Sequence, residues 1–199
     1  MSHTVFTHRA PGIFFALSLF IGLGFADAAV PLKPVRQFEA DGGGVNSIAV
    51  SPDGKYVAAG NTDGTTWMWE IATGKALWHA KWENFEALSV AFSKDGTRLL
   101  TADGGGMMRI VDAKTGEVKV TFHEENQAAI ERALFFGDDK FVVSTGVNRE
   151  IRTWDASTGK QLMALAGHKN WVGQLVVLPS SSGKSLALSG GMDKTVRLW

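Results

Sequence analysis

Cysteine is absent from the chain of 199 residues. This absence excludes disulfide bonds, thiolate metal sites, catalysis by a thiol, covalent attachment of a c-type haem and acylation of a lipoprotein cysteine. An excess of one charge is also lacking, because 20 Lys and Arg residues face 20 Asp and Glu residues without a run of like charge. Surfaces that bind nucleic acids or anionic membranes usually show a basic excess or stripe. Neither kind of partner is therefore expected.

A long apolar run occurs only at 12–25, where the sequence reads GIFFALSLFIGLGF. The run follows Arg9, is shorter than the roughly 20 residues that span a bilayer, and precedes the small residues ADA at 26–28. This arrangement is typical of a secretory signal peptide over 1–28. We expect cleavage after this segment and export of residues 29–199 to the periplasm or the cell exterior. An uncleaved N-terminal anchor is the alternative interpretation.

Glycine is abundant, with 23 residues, and is accompanied by 7 tryptophans and 12 phenylalanines. Such a composition favours a turn-rich β protein over a helical bundle. Four segments of the chain align with one another: 47–75, 89–117, 132–160 and 174–199. Their equivalent end positions are Trp69, Val111, Trp154 and Trp199. The steps between these positions are 42, 43 and 45 residues, so the chain contains an internal repeat.

Each repeat contains short strand-like runs separated by turn sequences. In the first repeat the runs occupy 45–50, 55–60 and 65–70, and a fourth follows the ATG turn at 72–74. Asp-Gly steps between the runs supply the positive φ values that tight hairpins need. One four-stranded antiparallel sheet of about 40 residues cannot bury both apolar faces alone, whereas radial stacking buries them. The prediction is an all-β propeller with four blades present, near 40–80, 81–123, 124–166 and 167–199.

Several motifs of the repeat belong to a known pattern. GH…WV at 167–172, SVAFS.DG at 89–96, TWDASTGK at 153–160 and DKTVRLW at 193–199 resemble the WD-repeat β-propeller family, also called β-transducin repeats. The resemblance covers 40–199. It implies that blades are held by a buried network of His, Ser or Thr, Asp and Trp, in which the imidazole links a hydroxyl group to a carboxylate.

The resemblance assigns network positions unevenly. The fourth repeat carries all four side chains: His168, Ser189, Asp193 and Trp199. The other repeats are incomplete and retain the following residues: Asp63 and Trp69 in the first, Thr101 in the second, Ser144 and Trp154 in the third. Asn126 and Asn148 stand at the His and Asp positions of the third repeat. We therefore expect the fourth blade to depend most on its network.

Catalysis and metal binding are both disfavoured by the placement of the candidate side chains. Ser189, His168 and Asp193 are the residue types of a hydrolase triad, but Ser189 falls inside a predicted strand without a G-x-S-x-G turn. His79 and His123 each stand alone at strand ends, without the carboxylate or histidine neighbours of a metal site. We expect no catalytic residues, no metal and no cofactor.

A different exported propeller is the main alternative. WEIATGKALW at 69–78 resembles the tryptophan-docking motif of pyrroloquinoline-quinone dehydrogenases, which places a Trp about four residues after TG in most blades. Trp78 satisfies this spacing once, whereas Val120 and Met163 stand at or beside the equivalent positions. The chain could on this reading be part of an exported propeller enzyme.

The WD-repeat resemblance implies a protein-interaction scaffold without chemistry of its own, since loops vary freely on a fixed framework. Its partner would be a protein or peptide. The candidate contact residues lie in the loops that precede two blades: Trp82, Asn84, Phe85, Lys169 and Asn170. Trp82 either contacts the partner or packs on a neighbouring blade. For Trp171, which directly precedes a strand, packing on the adjacent blade is expected.

The number of blades raises the question of ring closure. In this family the first strand usually completes the last blade, and PVRQFE at 34–39 is patterned for that role. Rings of this family commonly have about seven blades, and the chain stops at Trp199 directly after a third strand. We therefore expect a fragment of a longer protein, forming an open arc with unpaired edges at 34–39 and 194–199.

Overall fold

The computed structural model describes residues 33–82, 84–123, 128–178 and 185–199. The chain divides into two compact units, Met1–Val35 and Arg36–Trp199. The predicted signal peptide at 1–28 and the side chain of Asn126 lie outside the described residues. The account below concerns the second unit.

The described residues of this unit form four antiparallel sheets, called blades 1 to 4. Blade 1 contains β1 (Val45–Val50), β2 (Tyr56–Asn61), β3 (Thr65–Glu70) and β4 (Ala76–Lys81). Blade 2 contains β5 (Ala87–Phe92), β6 (Arg98–Asp103), β7 (Met107–Asp112) and β8 (Val118–His123). Blade 3 contains β9 (Ile130–Phe136), β10 (Phe141–Gly146), β11 (Glu150–Asp155) and β12 (Gln161–Ala166). Blade 4 contains β13 (Val172–Leu178), β14 (Leu186–Gly191) and β15 (Val196–Leu198).

Strands follow one another in sequence order within every blade, so each blade is a meander. The predicted all-β fold with four antiparallel blades is confirmed. Gly54 and Gly64 adopt φ values of 71° and 86°, and Gly96 and Gly106 values of 72° and 83°, as the Asp-Gly turns require. Blades 1 to 3 have four strands, whereas the described part of blade 4 has three.

Alternation along the strands gives each blade two apolar faces. The forward face of a blade packs against the following blade, and the back face packs against the preceding one. Leu100 and Ile110 on the forward face of blade 2 share a buried cluster with Val142 and Trp154 on the back face of blade 3. These contacts between neighbouring blades form the core of the molecule.

The four blades form an open arc. Contacts between inner strands run from β1 to β5, from β5 to β9 and from β9 to β13. The two terminal faces remain exposed: Ile48 on the back face of blade 1 is 68% exposed, and Val196 on the forward face of blade 4 is 74% exposed. The ring is not closed.

Residues 34–39, predicted as a ring-closing strand, form no strand. Instead Arg36 donates hydrogen bonds to the carbonyl oxygens of Thr73 (2.7 Å) and Ala72 (2.8 Å), while the Phe38 ring centroid lies 5.9 Å from that of Trp69. The segment therefore lies against the back face of blade 1. It does not reach β15 in this arc, because β15 belongs to the opposite end. The ring-closing role stays a prediction.

Candidate interaction surface

The turns lie at the two ends of the sheets. The top face, as used here, consists of the connections before the inner strands and the hairpin turns nearest to them: 40–44, 62–64, 82–86, 104–106, 128–129, 147–149, 167–171 and 192–195. The bottom face consists of the remaining described turns: 51–55, 71–75, 93–97, 113–117, 137–140 and 156–160.

One backbone hydrogen bond recurs on the top face of every blade. An N–H group in the hairpin turn donates to the carbonyl oxygen of the residue that precedes the inner strand or lies immediately before it. The four donor and acceptor pairs are Thr62 to Gly44 (2.8 Å), Gly104 to Glu86 (3.0 Å), Val147 to Ala129 (3.2 Å) and Met192 to Trp171 (2.7 Å). These bonds fix the relative position of the two loops, so the top face is a rigid surface.

The four network residues of blade 4 come together as the sequence predicts. His168 Nδ1 lies 2.9 Å from Asp193 Oδ2, and His168 Nε2 lies 2.7 Å from Ser189 Oγ. Trp199 Nε1 donates to the same Ser189 Oγ at 2.8 Å. Ser189 is 1% exposed and its oxygen is held by two ring nitrogens, so this serine has no access to a substrate. The arrangement joins three parts of the blade.

The carboxylate of this network is strongly stabilised in its ionised form. The Lys169 backbone N–H donates to Asp193 Oδ2 at 2.9 Å, and the Thr195 hydroxyl group donates to Oδ1 at 2.8 Å. The Lys169 N–H group, followed by Thr195 and His168, holds the pKa of Asp193 well below its usual range, although burial opposes this effect.

The incomplete repeats form smaller versions of the network. In blade 3, Trp154 Nε1 donates to Ser144 Oγ at 2.8 Å. In blade 1, Asp63 Oδ1 accepts hydrogen bonds from the backbone N–H and hydroxyl group of Thr65, at 3.0 and 2.6 Å. Trp69 is buried against Phe38 instead, so the structure does not join Asp63 and Trp69 through one hydrogen-bonded chain.

Blade 2 contains a buried ion pair that the sequence interpretation missed. Arg109 Nη1 lies 3.2 Å from Asp103 Oδ2, and both side chains are less than a tenth exposed. Asp103 Oδ1 also accepts from the N–H groups of Gly105 and Met107, each at 2.9 Å. A recurrent arginine in the third strand, in MRIV, IRTW and VRLW, was the available signal.

The predicted contact residues before blade 2 separate into two groups. Trp82 turns inward: its ring lies 6.4 Å from Trp78, and the Arg109 guanidinium lies 5.7 Å from its ring centroid. Phe85 lies over Gly105 and is 50% exposed, and Asn84 is exposed. Of these predicted residues, Asn84 and Phe85 are therefore the ones free to contact a partner.

The predicted residues before blade 4 are exposed. Lys169 and Asn170 take part in short-range hydrogen bonds, the Asn170 side chain accepting from the Trp171 N–H at 2.8 Å. Trp171 does not pack on the adjacent blade as expected, because 38% of it stays exposed. It lines a groove of about 450 Å³ together with Arg132 and Met192.

Exposed large apolar residues in turns share one location. Phe85 is 50% exposed, Val147 44%, Trp171 38% and Met192 63%, and all four belong to the top face. The bottom-face turns carry no such residue within the described ranges. The two faces of the arc therefore differ in chemistry.

Two searches over the described part of the chain gave no hits. No group of three or more His, Cys, Asp or Glu side chains there is placed to hold a metal ion. Likewise, none of the described helices has the length and apolar character required to cross a membrane.

Comparison with known proteins bears on the fold. The chain superposes with a TM-score of 0.74 on "Structure of U3-55K" and on "Crystal structure of RRP9 WD40 repeats", at 22% and 23% identity. It is covered over 82% in both cases and spans 51% and 50% of those chains. Residues 32–70 and 159–199 also match the WD40 family, described as "WD domain, G-beta repeat". The protein has the fold of a WD-repeat β-propeller.

Curated relatives of this WD-repeat chain are considerably longer. Nuclear distribution protein PAC1 from Coccidioides posadasii (strain C735) is 30% identical over 179 residues, 77% of this chain and 36% of that protein. Autophagy-related protein 16 from Arabidopsis thaliana is 30% identical over 57% of this chain and 23% of its own length. WD repeat-containing protein 1 from Xenopus tropicalis is 24% identical over 78% and 26%. None of these three is named for a catalytic activity, and the expectation of a longer parent protein stays a prediction.

Proposed function

We propose that the protein is an exported WD-repeat scaffold that binds a protein or peptide partner on its top face. The observation that carries this proposal is the concentration of exposed apolar turn residues there, namely Phe85, Val147, Trp171 and Met192. Exposed apolar residues framed by polar ones are typical of protein interaction sites.

The geometry of the top face suits binding. The recurrent hydrogen bond between loops holds the apolar side chains on fixed backbone, which lowers the conformational entropy lost on association. Trp171 and Arg132 line one groove, and both are residue types that often dominate interface energies. Lys169 and Asn170 stand beside it as a polar rim.

The binding proposal is tested with two matched pairs of apolar-to-serine changes. Phe85→Ser with Met192→Ser alters the top face, whereas Val118→Ser with Leu162→Ser alters exposed apolar residues of the outer strands β8 and β12. Partners are cross-linked to purified chain in the exported fraction and quantified by mass spectrometry. We expect the top-face variant to lose a bound partner at least about tenfold, as removal of anchors does. Equal retention by both variants contradicts the proposal.

Export is tested separately. The apolar run and small-residue site over 1–28 support removal by a signal peptidase. Intact-mass measurement of the protein secreted by an expression host gives the start of the mature chain. We expect residues 1–28 to be missing, and their retention in the mature product contradicts export by cleavage.

A further inference from the structure

The exposed forward face of blade 4 repeats the residues of a face that is buried elsewhere. On blade 3, Leu134, Val143 and Ile151 belong to a cluster with blade 4. The strand registers place Val176, Leu188 and Val196 at the equivalent positions of blade 4. Val176 is 55% exposed and Val196 is 74% exposed. The forward face of blade 4 is therefore built to be covered by another blade.

The exposed back face of blade 1 is the complementary surface. On blade 4, the back-face residues that meet blade 3 include Leu175, Val177 and Trp199. The equivalent residues of blade 1, at a constant offset along the chain, are Ile48, Val50 and Trp69. Ile48 is 68% and Val50 54% exposed. Blade 1 thus presents the surface that the forward face of blade 4 lacks.

The segment 36–40 strengthens this correspondence. Phe38 lies 5.9 Å from Trp69, as Phe122 of the outer strand β8 lies 6.1 Å from Trp154 of the following blade. The N-terminal segment thus contacts blade 1 in the way that the outer strand of a preceding blade would.

A second contact follows the same pattern. Arg36 lies over Gly74 and bonds to its turn, as Trp78 of β4 lies over Gly116 and donates from Nε1 to the carbonyl oxygen of Ala113 at 2.9 Å. The spacing agrees too, since residue 34 precedes β1 by the same 11 positions that separate the start of β4 from β5. Two independent contacts and the spacing therefore put this segment in the place of an outer strand.

We propose that two copies of this chain associate head to tail, the forward face of blade 4 of each packing on the back face of blade 1 of the other. In this dimer, residues 34–39 of one copy pair with β15 of its partner as the fourth strand of that blade. Within the described residues, β15 has a partner strand only on its inner side. Unpaired strand edges of this kind readily accept another chain.

A second copy fits better than an unrelated partner for two reasons. The junction would repeat the contact between blades 3 and 4, so the same residue types meet in the same register. The arc also superposes on about half of each of the two solved WD-repeat chains, so two arcs amount to one of them. A head-to-tail interface closes into a ring when its rotation permits.

The test uses two variants and a control. Ile48→Arg alters the back face, Val196→Arg alters the forward face, and Val147→Arg alters an equally apolar, 44% exposed turn residue away from both faces. Mass is measured by light scattering after size exclusion, and circular dichroism verifies that each variant is folded. We expect the unaltered chain and Val147→Arg to show twice the mass of the single chain. Ile48→Arg and Val196→Arg should each show the mass of one chain.

Mixing the two monomeric variants decides the polarity of the contact. Ile48→Arg retains an intact forward face and Val196→Arg an intact back face, so their mixture should regain a twofold increase in mass. Hydrogen exchange at Val196–Leu198 should then slow relative to either variant alone, because β15 gains a strand partner. A monomeric unaltered chain overturns the proposal. So does a variant that still dimerises by itself, since that outcome shows a contact between identical faces, and so does a mixture that stays monomeric.

Discussion

At the scale of single residues, His168 is the best-connected side chain of the molecule's polar network. It is buried, and its two ring nitrogens reach Asp193 at 2.9 Å and Ser189 at 2.7 Å. It thereby links the connection before β13, the strand β14 and the turn before β15. Ser189 in turn accepts from Trp199, so the loss of one imidazole affects all four residues.

We predict that His168→Ala lowers the free energy of unfolding by about 1–3 kcal/mol, because it leaves buried hydrogen-bonding groups without their partner. His123→Ala, at the exposed end of β8, is the matched control and should change stability by less than about 0.5 kcal/mol. Urea unfolding followed by tryptophan fluorescence gives both values. Equal effects of the two substitutions would sink the assignment.

The sequence was sufficient to predict the blade 4 network and not the ion pair of blade 2. His168, Ser189, Asp193 and Trp199 all match one family pattern. Asp103 and Arg109 instead lie six positions apart on β6 and β7, and their pairing depends on the register of these strands. A register of that kind is set by packing and turn geometry rather than by residue type. For the same reason the exposure of Trp171 was not predictable.

At the scale of strands and blades, the closest approach between blades 1 and 2 depends on a glycine. A Cβ atom added to Gly60 in β2 would lie 2.9 Å from the carbonyl oxygen of Ala87 and 3.1 Å from its Cβ atom. Ala87 begins β5, the inner strand of the next blade. A side chain at this position would therefore push two inner strands apart.

We predict that Gly60→Ala destabilises the protein by about 1–3 kcal/mol, the usual cost of overpacking. Gly44→Ala is the control, because its added Cβ atom would meet only Thr62 Cγ2 at 3.9 Å. Thermal unfolding of both variants measures the difference. Two equal melting temperatures would mean that the inner strands separate without cost.

The strands themselves were predictable because repeat spacing and turn chemistry act locally. The runs expected at 45–50 and 65–70 coincide with β1 and β3, and the run expected at 55–60 is shifted by one residue in β2. The segment 34–39 behaves differently, since a strand forms only where a neighbouring strand supplies hydrogen bonds. In the open arc no such neighbour stands beside it among the described residues.

At the scale of the whole molecule, successive turns of the bottom face share one electrostatic device. Ser93 Oγ donates to Asp95 at 2.6 Å, which with bonds from Thr97 lowers the pKa of Asp95 to about 2. Ser157 Oγ donates to Asp155 at 2.6 Å, which with bonds from Thr158 lowers the pKa of Asp155 to about 2. Both turns are therefore held together by an ionised carboxylate.

These shifts predict acid sensitivity in a defined range. A carboxylate whose pKa is lower in the folded than in the unfolded state stabilises the protein fully above its unfolded pKa, about 4 for Asp. That stabilisation declines as the pH falls from about 4 and is lost near pH 2, the folded pKa of Asp95 and Asp155. The double substitution Asp95→Asn with Asp155→Asn removes the contribution at every pH. We therefore expect its melting temperature to lie below that of the unaltered chain at pH 6, and the difference to shrink steadily between pH 4 and pH 2. Scanning calorimetry over this range measures it, and a difference that stays constant down to pH 2 would show that these two carboxylates do not control the acid response.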